Sequence, residues 1–262
     1  MSDSIIAVNV DLTNPGQFFA CCGLLELSDR LWPGAMGYFD RRQFRISGGG
    51  TLKELVQKLA ACTLTQLDTE SDTSSPIQLD GTFGNLRLDW WNDAYGGGNQ
   101  LKVWAGTMES VRIAKAMQLA IKKDSRFQEP DLFNLGCVCY DPDDVQKKVE
   151  PYYFDARRGP NAHSRDVGFS PNDLAMTTTA FPAVELLCLV GLQRSLPVRQ
   201  REPRIFDYYT WSFPLPPSLL PAAAAGLLPG PVQQQFRFEN WYRTGQKKHK
   251  AFRSAIPLSS GA

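Results

Sequence analysis

The sequence predicts an α+β fold, with mixed or antiparallel sheets against packed helices, and three observations lead there. Segments with a helical apolar period, such as TLKELVQKLAAC (51–62), are interspersed with segments of two-residue alternation, such as QQQFRFENWYR (233–243). Glycine and proline clusters punctuate the chain between them. With 262 residues, 43% of them hydrophobic and 21% charged, the chain can bury a substantial core. No repeat and no linker divides it, so a single domain over 1–262 is the simplest organisation.

The elements follow in order. IIAVNV (5–10) reads as a strand. Asn14-Pro15 supplies an N-cap and a proline at the first helical position, so a helix should run to about Leu31, with Phe18, Cys22 and Leu25 on one stripe, and stop at Pro33-Gly34. FDRRQFRIS (39–47) is strand-like and GGG (48–50) is a break. The amphipathic helix over 51–62 turns Leu52, Leu55, Val56 and Leu59 inward. The polar run TLTQLDTESDTSSP (63–76) reads as a loop. IQLDGTFGNLRLDWW (77–91) reads as a hairpin, NDAYGGGNQ (92–100) as a glycine-rich loop, and 103–123 as a long helix. GCVCY (136–140) and PYYFDA (151–156) read as strands, and FPAVELLCLVGLQRSL (181–196) as a helix. RIFDYYTWSF (204–213) is rich in strand-forming residues. Six prolines between 214 and 231 place a loop around an AAAAG turn of helix. The strand over 233–243 has Phe236, Phe238, Asn240 and Tyr242 on one face, with Arg237, Glu239, Trp241 and Arg243 on the other.

Composition excludes several classes. No apolar run approaches the ~20 residues that span a bilayer, so no membrane association is expected. The beginning, MSDSIIAVNVDL, is acidic and lacks a signal-peptide pattern, which points to the cytoplasm. Cysteines 21, 22, 62, 137, 139 and 188 have apolar neighbours, as expected of buried thiols in a reducing compartment. With no CxxC pair and two histidines, neither a metal site nor another cofactor is expected.

Charge is unevenly placed. Residues 194–253 hold ten Lys/Arg and three acids, a balance of +7, which leaves −6 for the remainder of a chain whose net charge is +1. Such asymmetry suits a basic face for a polyanion; a solvated surface balanced by acids elsewhere would also produce it. Three places concentrate the signal. TGQKKHKAFR (244–253) holds Lys247, Lys248, Lys250 and Arg253 with no acid among them, and follows Arg237 and Arg243. Tyr208, Tyr209, Trp211, Trp241 and Tyr242 lie among these cations and could stack on bases, although strand aromatics usually belong to a core. GGG (96–98) lies beside Lys102 and could meet phosphate through backbone N–H groups, or be a flexible turn. GGG (48–50) has no following Gly-Lys-Ser/Thr and is not a P-loop. FDARRGPNAHSRDVGFSP (154–171) gathers Arg157, Arg158, His163 and Arg165 with Asp155 and Asp166 on a loop broken by glycines and prolines. Its spacing matches no metal motif. Guanidinium forks and backbone N–H groups on such a loop suit phosphate, and pairing of the arginines with Asp155 and Asp166 is the plain alternative.

Four blocks, NPGQFFACCGLLELSDRLWPGA (14–35), LRLDWW…GGGNQLKVWAG (86–106), FDARRGPNAHSRDVGFSPND (154–173) and FPAVELLCLVGLQR (181–194), resemble the Csb-three family of type I-G (formerly I-U) CRISPR–Cas systems. They are spread through about the first three quarters of the chain, in the family's order. The resemblance implies a cytoplasmic antiviral-defence protein that works with CRISPR RNA and/or target DNA and with other Cas subunits as a non-catalytic part of the interference complex. It also implies a large-subunit component or a RAMP-type core with an RRM-like sheet. Arg157, Arg158, His163 and Arg165 would then meet phosphates, and Gly159 and Gly168 would allow close backbone approach. Two other readings stand beside this one. One is a metal-independent CRISPR RNA-processing endoribonuclease with His163 or His249 as its base. The other is a structural subunit that bridges proteins only.

Overall fold

The computed structural model describes residues 5–67, 75–89, 91, 109–158, 179–202, 204–228, 234–243 and 248–258, at 242, 243 and 248–250 as backbone only. Two helices form its centre. Helix α1 (Pro15–Leu31) starts where the Asn14 side-chain oxygen accepts the Gly16 N–H at 3.1 Å. A single apolar stripe understates it, because fourteen of its seventeen residues are buried. FFACCGLL presents apolar side chains in every direction, and such a helix has no solvent face. The second central helix, Pro182–Gly191, is buried at all ten positions. It ends at Gly191, short of the expected 196, as the N–H groups of residues 192–195 fold back onto the carbonyls of Cys188, Val190 and Gly191. The two helices touch at glycines. A Cβ on Gly23 would lie 2.0 Å from the Leu187 carbonyl oxygen, and one on Gly191 would lie 1.9 Å from that of Phe19.

A three-stranded antiparallel sheet of β1 (Ile5–Asn9), β2 (Met36–Asp40) and β3 (Gln43–Ser47), in the order β1-β3-β2, lies against α1. The expected strand over 39–47 is instead a hairpin. Phe39 pairs with Phe44, and the chain reverses through Arg41 at a φ of 55°. Helix α2 (Leu52–Ala61) buries Leu52, Leu55, Val56 and Leu59 as its period requires. Strands β4 (Thr63–Gln66), β5 (Ile77–Asp80) and β6 (Leu86–Leu88) then form a second antiparallel sheet. The polar TLTQ, expected as loop, is a strand because Leu64 alone turns inward while Thr63 and Thr65 face out.

Helix α3 (Ser110–Lys123) follows; the expected start at 103 lies outside the described residues. Strands β7 (Tyr140–Asp141) and β8 (Asp144–Lys148) make a small hairpin. Neither GCVCY nor PYYFDA is the strand expected. Cys137 makes one isolated bridge to Ala180, and residues 151–154 run unladdered into a 3₁₀ turn at 156–158. Consecutive burial of Tyr152, Tyr153, Phe154 and Asp155, with Tyr153 at a φ of 64°, does not fit a pleated two-faced strand.

After the 182–191 helix, here α4, come β9 (Val198–Arg199), β10 (Ile205–Tyr209), the short α5 (Leu220–Ala224), β11 (Gln235–Arg243), β12 (Lys248–Phe252) and β13 (Ile256–Leu258). They build a five-stranded antiparallel sheet in the order β12-β11-β10-β9, with β13 beside the first half of β11. The expected alternation in β11 holds: Phe236, Phe238 and Asn240 are buried, while Arg237, Glu239 and Trp241 are half-buried. Tyr208 and Trp211 are not base-stacking platforms. Both are fully buried, with the Tyr208 hydroxyl donating to the Leu12 carbonyl at 2.6 Å and the Trp211 indole N–H to that of Gly37 at 2.8 Å. Their rings pack on Phe18, which ties this sheet to the first one through α1.

The chain is thus α+β, and one contiguous buried cluster runs from Ile6 to Ala255. All six cysteines are unbridged, five of them buried. No described helix is long and apolar enough to cross a membrane.

Candidate nucleic-acid interface

The last strands concentrate the basic residues. Residues 235–239 of β11 pair with β10, but 240–243 continue beyond that pairing with β12 as partner. The extension is a two-stranded ribbon. Arg243 stands directly opposite Lys248, and Tyr242 opposite His249. Register shifts after Trp241, so Lys250 is the extra residue of a bulge. Like charges placed directly opposite across a ladder are destabilising in water. The β9–β10 connection approaches the same end of the sheet: Gln200 N–H donates to the Ile205 carbonyl, and Asn240 N–H to that of Arg204, both at 2.9 Å. Exposed Arg199 and Arg201 and half-buried Arg204 therefore flank the ribbon's base, with Glu202 as the nearby acid on that turn. At the base itself, the Arg253 guanidinium lies 4.0 Å over the Trp241 ring.

Distant segments are anchored around the ribbon. Phe252, the last residue of β12, packs its ring 5.8 Å from Trp91, 5.4 Å from Phe154 and 5.0 Å from Phe238. Its N–H donates to the Tyr153 carbonyl at 3.0 Å. Trp91 directly precedes the stretch containing Lys102, and Arg158 the stretch containing His163 and Arg165. Those three residues, with Lys247, lie outside the described residues.

The start of the arginine loop is fixed by a buried polar cluster. Asn14, Asp155 and Glu185 are each at most 2% exposed. The Asn14 side-chain oxygen accepts from the Ala156 N–H at 3.1 Å, and its amide donates to Asp155 Oδ1 at 3.0 Å. The Glu185 carboxylate oxygens accept the Phe154 and Asp155 N–H groups at 3.2 and 3.1 Å. Burial, with the charge of Asp155 nearby, pushes the Glu185 carboxyl up to about 8. Arg157 closes the cluster. Its fork meets Asp155 at 2.9 and 2.7 Å, it donates to the Phe133 carbonyl at 2.6 Å, and its face lies 3.5 Å from the Phe181 ring centre. Its partners are thus those of the plain alternative, since a buried carboxylate needs a counter-charge. Arg158 hydrogen-bonds the Tyr153 hydroxyl, which also bonds Glu150.

Of the other predicted contacts, Arg237 is held by a two-pronged bond to buried Asp207, at 2.7 and 2.8 Å, in the middle of the sheet. Arg243, Lys248 and Lys250 share the ribbon by backbone position, and Arg253 stands at its base. Arg199, Arg201 and Arg204 were counted in the basic segment but carried no motif of their own. Only the β9–β10 pairing brings them beside the ribbon. No group of three or more metal-ligating side chains occurs among the described residues. No family model, no curated protein and no solved structure matches this chain.

Proposed function

We propose that this protein is a nucleic-acid-binding, non-catalytic subunit of a type I-G CRISPR–Cas interference complex, acting in the cytoplasm with CRISPR RNA and/or target DNA and with other Cas subunits. The CRISPR assignment rests on the four sequence blocks. The binding role is carried by one observation, the pairing of Arg243 with Lys248 across a ribbon that outruns its sheet. Two cations at opposed backbone positions are a pairing that a ladder disfavours in water and that bound phosphates would favour. A two-stranded ribbon is also narrow enough to enter a duplex major groove or lie along a single strand. Base pairing with a guide supplies sequence recognition, so the protein needs only to hold backbone.

The test is fluorescence anisotropy with single-stranded RNA, single-stranded DNA and duplex DNA, titrated with salt, for wild type and Lys248→Ala/Lys250→Ala. Each lost phosphate contact should flatten the slope of log K against log salt by about 0.7–0.9, so the double substitution should flatten it by about 1.5 and weaken all sequences alike. Salt-independent binding, or equal affinity of the variant, refutes the reading. Probe recovered intact on a gel is expected; cleavage would favour the ribonuclease reading.

A further inference from the structure

A second basic feature lies away from the ribbon. The end of α1, the turn after α4 and the start of β6 enclose a cleft of about 360 Å³ lined by Glu26, Arg30, Leu86, Val190, Gln193 and Arg194. Glu26 is only 6% exposed and sits between the two guanidiniums. Its Oε1 accepts Arg30 Nε at 2.9 Å, and its Oε2 accepts Arg194 Nε at 2.6 Å, with Arg194 Nη2 a further 3.3 Å from Oε1. Arg30 Nη1 also donates to the Phe83 carbonyl at 3.1 Å. Gln193 is fixed by exchanging hydrogen bonds with the Asp89 backbone at 3.0 and 2.8 Å.

Each guanidinium carries five N–H donors. Arg30 Nη2 and Arg194 Nη1 have no partner among the described residues, although both side chains line the cleft and are 30% and 41% exposed. One carboxylate against two guanidiniums leaves a surplus of one positive charge. Glu26 locks both forks in place, so little side-chain freedom remains to be lost when a ligand arrives. Leu86 and Val190, both buried in the core, close the cleft's floor. We propose that this cleft is a phosphate site for the anionic phosphate of a phosphodiester or a phosphate monoester. Resting on the nucleic-acid role proposed above, the phosphate is that of a nucleotide, either free or within a strand. The site does not depend on the ribbon: the residues that form it lie on other elements.

Isothermal titration of the full chain with AMP and with inorganic phosphate tests this. Saturable AMP binding is expected, weakened at least tenfold by Arg194→Ala and unchanged by Lys248→Ala/Lys250→Ala, with far-UV circular dichroism checking the fold. If Arg194→Ala does not fold, Arg194→Lys carries the same comparison, because it keeps a cation against Glu26 and loses the fork. No saturable binding at millimolar AMP and phosphate, or equal AMP affinity of the folded Arg194 variant, overturns the proposal. The source is read from competition. A single-stranded oligonucleotide that displaces AMP, and whose own affinity falls in the Arg194 variant, identifies strand phosphate. AMP binding without such competition identifies a free nucleotide.

Discussion

Replacing Asn14 by alanine should remove three hydrogen bonds at once, one that starts α1 and two that tie it to Asp155 and Ala156. Asn14 caps α1 through the Gly16 N–H and holds the Ala156 N–H, 142 residues away, with the same oxygen. Losing a helix cap costs about 1 kcal/mol. Leaving the buried Ala156 N–H without an acceptor costs about 1–3 kcal/mol more. Asp155 also loses the Asn14 amide as a donor. The sum, about 2–4 kcal/mol, is a large share of the ~5–15 kcal/mol that stabilises a typical domain. At about 2–4 °C per kcal/mol for a chain approaching this size, the melting temperature should fall by roughly 5–15 °C. Urea unfolding followed by circular dichroism and by tryptophan fluorescence measures the loss. Asn14→Asp is the informative partner, because it keeps the capping oxygen while setting a carboxylate against buried Asp155. It should be more stable in acid than at neutral pH. A cost below about 1 kcal/mol for Asn14→Ala would refute the idea that this cluster pins the arginine loop to α1.

Two further outcomes follow from the same core. Gly23→Ala raises helix propensity, yet its Cβ would meet the Leu187 carbonyl oxygen at 2.0 Å, so it should cost about 1–3 kcal/mol or more; a melting temperature at or above wild type would show that the helices do not cross as described. Glu185 has a folded-state pKa near 8 against an ordinary value of 4.5, so the folded protein keeps a proton that the unfolded chain releases across that interval. Its contribution therefore falls as pH rises from about 4.5 through 8, by up to ~1.4 kcal/mol per pH unit. Urea midpoints of Glu185→Gln should lack that decline, and parallel pH profiles of the two proteins would contradict the assignment.

Elements with a clear local signal were legible in the sequence. Asn14-Pro15 marked the start of α1, the spacing of Leu52, Leu55, Val56 and Leu59 gave α2 and its inner face, and the alternation in β11 gave its two faces. The basic segment was legible too, because net charge is a property of composition. These readings depend on residues within a turn or two of each other, where steric and capping preferences act.

What tertiary structure alone decided was the fate of side chains whose partners are remote in sequence. Arg237 carries a phosphate-contact expectation, but it faces buried Asp207 on the neighbouring strand, a carboxylate that desolvation would otherwise penalise; Arg157 takes its near neighbour Asp155, and the fold decides only that this carboxylate is buried. Tyr208 and Trp211 suit either base stacking or a core, and the fold decides for the core: their polar tips find carbonyls at Leu12 and Gly37, 196 and 174 residues upstream, and their rings complete it. TLTQ read as loop, since the single Leu64 that makes it a strand matters only once β5 lies alongside. Arg30 and Arg194 meet only because Glu26 stands between them. Sequence set the supply of charge and the local geometry of helices and strands. Chain-distant packing decided which charges were neutralised inside the fold, because the cost of burying an ion depends on what the rest of the chain places beside it.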